Sequence, residues 1–306
     1  NYSDKHPFRK YFEEVEIGDS LETAGRTVTD ADIVNFSNVS WDHFYAHTDS
    51  TSLNGTIFDK TVAHGYFILS AAAGLFVSGK KGPVIANYGL ENANFFKPVY
   101  AGDTITVYLT AKERINKGVK GRNIPSGVVK WLVEVVNQRE ETVCVATILT
   151  LVAKKSPFIK IDYKDFAKRL NNLTEKSIPN WGRMKAQEML EHLETTMKYS
   201  TGELETTECK TPAENLEMYQ DSLYNFRKMP KDFPAPFLED GKLPELKYKN
   251  LEEAKTHFIE SVKNYQIYYR ENPEAEHLHF VFGTLNKEMM ELFHQKHVTH
   301  HFEQFG

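Results

Sequence analysis

The sequence predicts an α+β protein in two parts, an antiparallel sheet around one central helix followed by an all-α four-helix bundle. Three observations carry this. Segments between Tyr11 and Lys155 alternate apolar and polar residues with period two, while Val62–Ser78 is apolar on every side. From Asp162 onward the apolar residues recur at helical spacing instead. A chain of 306 residues is long enough for two cores of ordinary domain size.

The alternation is clearest in Thr104–Leu109 (TITVYL) and Val129–Val135 (VKWLVEV), the pattern of half-buried antiparallel strands. Beyond the polar turn at 138–142, the run Val143–Val152 is apolar at nearly every position, as expected of a strand covered on both faces. Val62–Ser78 (VAHGYFILSAAAGLFVS) has no polar face, so this helix is expected to be wrapped on all sides. A curved antiparallel sheet around such a helix is the hot-dog architecture, placed at residues 7–155. After Ser156–Pro157 the texture changes, and a second domain is expected at 161–306. Its helices are expected near Tyr163–Leu173, Lys185–Ser200, Leu251–Glu271 and Asn286–Gln304, with Met189, Leu190, Leu193 and Met197 forming one buried stripe. The stretch Asn225–Leu246, rich in Pro and Lys, reads as a long loop, and no internal repeat is visible.

Composition excludes several classes of function. A formal net charge of -5 without a basic stripe argues against a nucleic-acid partner, so any anionic ligand must be held locally. Cys144 and Cys209 are far apart and in no ligand spacing, which fits two plain thiols in a reducing compartment. No Lys/Arg-led apolar leader opens the sequence, and its most apolar stretch is short of the ~20 residues needed to span a bilayer. A cytoplasmic protein with no membrane partner is therefore expected. The first residue is Asn rather than Met and the last residues stop inside a helical pattern, which leaves open a segment of a longer polypeptide.

Asp42 and His47 place a carboxylate and an imidazole five residues apart, flanked by Trp41, Phe44 and Tyr45. That pair suits hydration, since the carboxylate takes a proton from water while the imidazole binds the same water or delivers a proton. From the spacing alone, a helix cap and a surface histidine are the favoured reading. Ala63–His64–Gly65 then opens the apolar helix, and a helix N-terminus offers backbone N–H groups to the oxyanion of an attacked thioester. Gly65 is the preferred donor because a glycine permits close approach; tight helix packing is the other reading of the same residue.

Together these residues resemble the MaoC-like dehydratases. The family pattern Asp, four residues, His, one residue, Asp or Asn is met by Asp42, His47 and Asp49; the helix-opening glycine is met by Gly65, and the strand-entry motif by Phe96–Thr104 (FKPVYAGDT). The resemblance implies an acyl-CoA thioester substrate, catalysis by Asp42, His47 and Gly65, and substrate contacts from Trp41, Phe44, Tyr45, Asp49 and His64. Where (R)-specific enoyl-CoA hydratases usually carry Gly before the Asp and Asn-Pro after it, this chain has Trp41 and Phe44–Tyr45, implying a more aromatic pocket. That variant, with Val62–Val77 and Ala86–Asn92, is similar to the hydratase halves of bifunctional phenylacetate ring-opening enzymes, which act on oxepin-CoA in aerobic phenylacetate degradation. The resemblance further implies a homodimer or larger, no organic cofactor, and an aldehyde dehydrogenase as a fused or separate partner. The alternative substrate is an acyclic trans-2-enoyl-CoA.

In the last helix, His297 and His301 lie one turn apart, and His192 sits in the middle of the Lys185–Ser200 helix. A histidine-rich solvated face gives the same spacing. With Pro179–Met184 (PNWGRM) and His297–Gly306, however, the region from Asp162 to Gly306 resembles DinB-like metal-binding bundles. That resemblance implies a divalent metal, zinc or nickel, on His192, His297 and His301, with Gln304 beside the pair. A third reading makes the chain a metal-binding regulator that retains a relic hot-dog domain.

Overall fold

The computed structural model describes residues 6–118, 121, 123–231 and 244–306. The chain falls into two compact units, residues 1–118 with 125–155, and 119–124 with 156–306.

The first unit is one antiparallel sheet with a helix packed on it. Its strands are β1 (Ser20–Glu22), β2 (Arg26–Thr27), β3 (Val84–Phe95), β4 (Thr104–Asn116), β5 (Ser126–Asn137) and β6 (Thr142–Ala153). The order is β1-β4-β5-β6-β3, with β2 also paired to β4. Alternation does what the sequence promises: Ile105, Val107, Leu109 and Ala111 of β4, and Val129, Trp131, Val133 and Val135 of β5, all point into the core. No residue of β6 is exposed. The indole N–H of Trp131 donates to Thr150 Oγ1 at 2.8 Å, so burying this ring leaves no donor unpaired.

Two helical pieces precede the central helix. α1 (Asp30–Ser40) starts at Thr29 with a reciprocal cap to Asp32 and ends at Trp41, a non-glycine residue with φ of 63°. That left-handed residue turns the chain sharply, and the single-turn α2 (Tyr45–Thr48) follows. The central helix α3 is Gly65–Phe76, three residues shorter at its start than the apolar run suggests.

The expectation that α3 is wrapped on every side is corrected. Only Ile68, Ala72 and Phe76 are buried, whereas Tyr66 is 71% exposed. The sheet covers one face of the helix, and the other face is left open together with the edge strand β3, where Ile85, Tyr88, Leu90 and Phe95 are exposed.

The second unit contains the four expected helices as α4 (Tyr163–Arg169, continued by a 3-10 turn Leu170–Asn172), α5 (Ala186–Ser200), α7 (Leu251–Glu271) and α8 (Lys287–Phe305). It also contains elements not foreseen, a helix α6 (Leu216–Tyr224) and a hairpin of β7 (His277–His279) and β8 (Gly283–Leu285). Among the described residues the unit is thus predominantly helical, with five α-helices and a short two-stranded hairpin in place of a four-helix bundle. Met189, Leu190, Leu193 and Met197 form the buried stripe of α5, packed with Phe258 and Val262 of α7 and Met290 and Val298 of α8. The expected loop 225–246 is described only at its two ends, because 232–243 lie outside the described residues.

Candidate active site

In the first unit, three elements converge on Asp42, His47 and His64. Asp42 follows the left-handed turn at Trp41 and receives the Phe44 amide on Oδ1 at 3.2 Å. His47 lies in α2, and His64 is the residue before α3. One ligand atom from each of the three side chains lies within 4.8 Å of the others, so a single water can touch both Asp42 and His47.

The hydrogen bonds fix the tautomers. His47 Nδ1–H donates to the Val62 carbonyl at 2.7 Å, which leaves Nε2 as the unprotonated nitrogen of the neutral ring. His64 Nε2–H donates to the Asp42 carbonyl at 3.1 Å, with Ser37 Oγ at 3.2 Å. The His47 and His64 rings stack, centroids 3.7 Å apart, and Phe44 lies edge-on to His47 at 5.9 Å. Burial pushes the His64 imidazole below its ordinary pKa; its bond to the Asp42 carbonyl opposes this, and the neighbouring His47 adds to it. His64 is therefore a neutral ring that orients its neighbours, and its Nδ1 has no hydrogen-bond partner among the described residues.

Gly65 begins α3 next to this cluster. The first amides of a helix have no intrahelical acceptor, and no side chain caps this end, so N–H groups are available where charge on a thioester oxygen would develop. The glycine also makes room for Phe95: a Cβ here would lie 2.7 Å from the far end of that ring, which would have to shift.

The other expected contacts divide. Phe44 and Tyr45 pair at 4.4 Å between centroids beside His47, whereas Trp41 is 85% exposed. The expectation for Asp49 is corrected, because its carboxylate is already engaged. Asp49 Oδ1 accepts from the Thr51 amide at 2.9 Å and from its hydroxyl, Oδ2 accepts from Ser52, and these bonds from Ser52 and Thr51 hold the carboxyl down to about 2. Asp49 caps the following 3-10 turn. The Phe96–Thr104 motif is likewise structural: Asp103 Oδ2 accepts from the Tyr100 amide, Oδ1 accepts from Gln138, and Gly102 has φ of 97°. Against the burial that works to raise it, the bonds from Gln138, the Tyr100 amide and Arg139 keep the Asp103 carboxyl below its ordinary value. Sequence reasoning missed Ser37 and the Val62 carbonyl, which no local spacing connects to the two histidines.

In the second unit, His192 Nε2 and His301 Nε2 lie 2.9 and 3.1 Å from His297 Nε2. Gln304 donates from Nε2 to the Trp181 carbonyl, so its Oε1 faces His301 and accepts from Nδ1–H at 3.0 Å. That bond directs the His301 Nε2 lone pair at the cluster. Burial holds all three imidazoles below their ordinary pKa, His301 down to about 4 and the other two well below 6.5. Neutral imidazole nitrogens converging this closely form a donor set suited to a divalent cation.

Residues 13–133 match the family described as the MaoC-like domain. Over 103 residues the chain is 33% identical to the (R)-specific enoyl-CoA hydratase of Rhodospirillum rubrum, covering 33% of this chain and 68% of that protein. The chain belongs to the MaoC-like family. The MaoC-like domain is also 60% identical over 112 residues to protein MaoC of Klebsiella aerogenes, covering 37% of this chain, and the chain spans only 33% of that protein's length. Among solved structures, a monoamine oxidase regulatory protein from Archaeoglobus is 36% identical, with a TM-score of 0.44, covering 48% of this chain and 95% of that one. Outside the MaoC-like domain, residues 227–306 match a protein family of unknown function, DUF1569.

Proposed function

We propose that the MaoC-like domain hydrates a conjugated acyl-CoA thioester, and that its substrate is oxepin-CoA. The observation that carries the hydration reading is the convergence of Asp42, a His47 with its Nε2 unprotonated, and the open N-terminus of α3. Asp42 takes a proton from a water held between it and His47 Nε2. As oxygen bonds to the conjugated carbon, charge moves onto the thioester oxygen, where the Gly65 N–H receives it. His47 Nε2 accepts the water's other hydrogen and so orients it, and the proton that Asp42 took passes to the carbon of the resulting enolate. Hydration of a cyclic enol ether gives a hemiacetal, which opens to an aldehyde. That product accounts for an aldehyde dehydrogenase as the expected partner activity.

The choice of substrate rests on aromatic bulk at the site. Phe44 and Tyr45 pack beside the reactive imidazole and favour a flat, ring-derived acyl group over an acyclic one. Supplying oxepin-CoA and crotonyl-CoA separately and following ring opening and hydration tests it. A higher kcat/KM on oxepin-CoA is expected, and a strong preference for crotonyl-CoA would instead identify an (R)-specific enoyl-CoA hydratase.

For the second unit, the donor set supports a divalent cation on His192, His297 and His301, zinc or nickel by ligand type. Bound there, the cation would supply Lewis acidity. Zinc titration is expected to raise the thermal midpoint of the unit, and His297→Ala to abolish the rise. An unchanged midpoint with zinc would contradict the assignment.

A further inference from the structure

Beside the three imidazoles, the second unit contains a cavity of about 860 Å³, within the size range of small-molecule sites. Phe280, Phe282, Phe293 and Met290 supply an apolar wall. The charged residues that line it are Arg183, Arg227, Lys228 and Lys296, and no Asp or Glu lines it among the described residues. In a chain with 42 acidic and 37 basic residues, a one-sided lining is not what composition alone produces.

The partners of these four cations sharpen the point. Lys228 is neutralised by Glu303 at 2.6 Å. The Lys296 ammonium donates to the Ser222 carbonyl at 2.8 Å, the Arg227 carbonyl at 3.0 Å and Asn225 Oδ1 at 3.2 Å, all neutral oxygens. It is therefore a buried charge that hydrogen bonds satisfy without cancelling. The Arg183 and Arg227 guanidiniums are exposed and have no carboxylate partner among the described residues. Uncompensated positive charge next to an aromatic wall is complementary to a molecule with one anionic end and one apolar end. A guanidinium fork matches a carboxylate bidentately.

We propose that this cavity binds a small organic carboxylate with an apolar body, its anionic group at Arg183 and Arg227 and its body against Phe280, Phe282 and Phe293. The site is separate from the thioester site and stands whether or not the imidazoles hold a cation.

The test titrates the full chain, zinc-loaded and EDTA-treated in parallel, with 4-phenylbutyrate and with 4-phenylbutylamine by calorimetry. The acid is expected to bind at least about tenfold more tightly than the amine, and the double substitution Arg183→Gln/Arg227→Gln to weaken the acid by about tenfold or more. Both positions are exposed, so the double variant is expected to keep its circular dichroism spectrum. Equal binding of acid and amine, or acid binding untouched by the double substitution, would overturn the proposal; the latter places the ligand elsewhere on the chain. If the double variant does not fold, histidine ring resonances decide in the wild-type protein. Shifts of the His300 and His301 ring protons on adding the acid support the site, and their absence overturns it.

Discussion

His47 is useful because its Nδ1–H is already committed to the Val62 carbonyl, leaving one nitrogen bare toward Asp42. His64 stacks on it as a neutral ring, so His64→Ala is expected to lower kcat by weakening the orientation of His47 while leaving KM nearly unchanged, which steady-state kinetics on the accepted thioester would show. A different histidine bears on stability. His279 Nδ1 accepts the Val281 and Phe282 amides at 3.0 and 3.2 Å in the hairpin turn, and burial holds its pKa down to about 3. His279→Ala leaves two amides unpaired and is expected to cost about 1–3 kcal/mol in denaturant unfolding. Because the folded pKa lies below the unfolded 6.5, the unfolded chain binds the extra proton between them, and stability is expected to fall as pH drops from about 6.5 toward 3. A His279→Asn variant should lose part of that slope.

At the scale of elements, Gly65 and Phe95 couple the start of α3 to the edge strand β3. Gly65→Ala places a Cβ against the Phe95 ring, and Phe95→Ala removes the clash. The double variant is therefore expected to recover stability relative to Gly65→Ala alone, a coupling that a double-mutant cycle in thermal unfolding measures. The strands β4 and β5 were legible in the sequence because one face of each is buried and period two records it, and β6 because, with no residue exposed, it reads as a continuous apolar run. β3 was not, since it is an edge strand with three register shifts against β6 and most of its residues exposed, so burial imposes no alternation on it. α6 escaped because it buries only Leu223, and β7 and β8 because three residues carry no period. At the site, Asp42, His47 and Gly65 were visible as motif positions. Asp49 misled, since a capping aspartate and a ligand-binding one look alike until the partner hydroxyls of Thr51 and Ser52 are seen.

For the molecule as a whole, the open face of α3 and the exposed residues of β3 raise the question of self-association. Tyr66, Ile85, Tyr88, Leu90, Phe95 and Phe96 expose apolar surface beside an unpaired strand edge, an arrangement that proteins normally cover. A homodimer or larger assembly is expected by light scattering, and Tyr88→Glu/Leu90→Glu is expected to shift it toward monomer. Among the described residues, no helix is long and apolar enough to cross a membrane. In the proposed reaction Asp42 and His47 share one water at a thioester. Its most direct test is the kcat/KM of Asp42→Asn on the thioester that the wild type turns over best, measured beside its thermal midpoint. A loss of about 10²-fold or more is expected, with the midpoint unchanged. Full turnover by Asp42→Asn would contradict it.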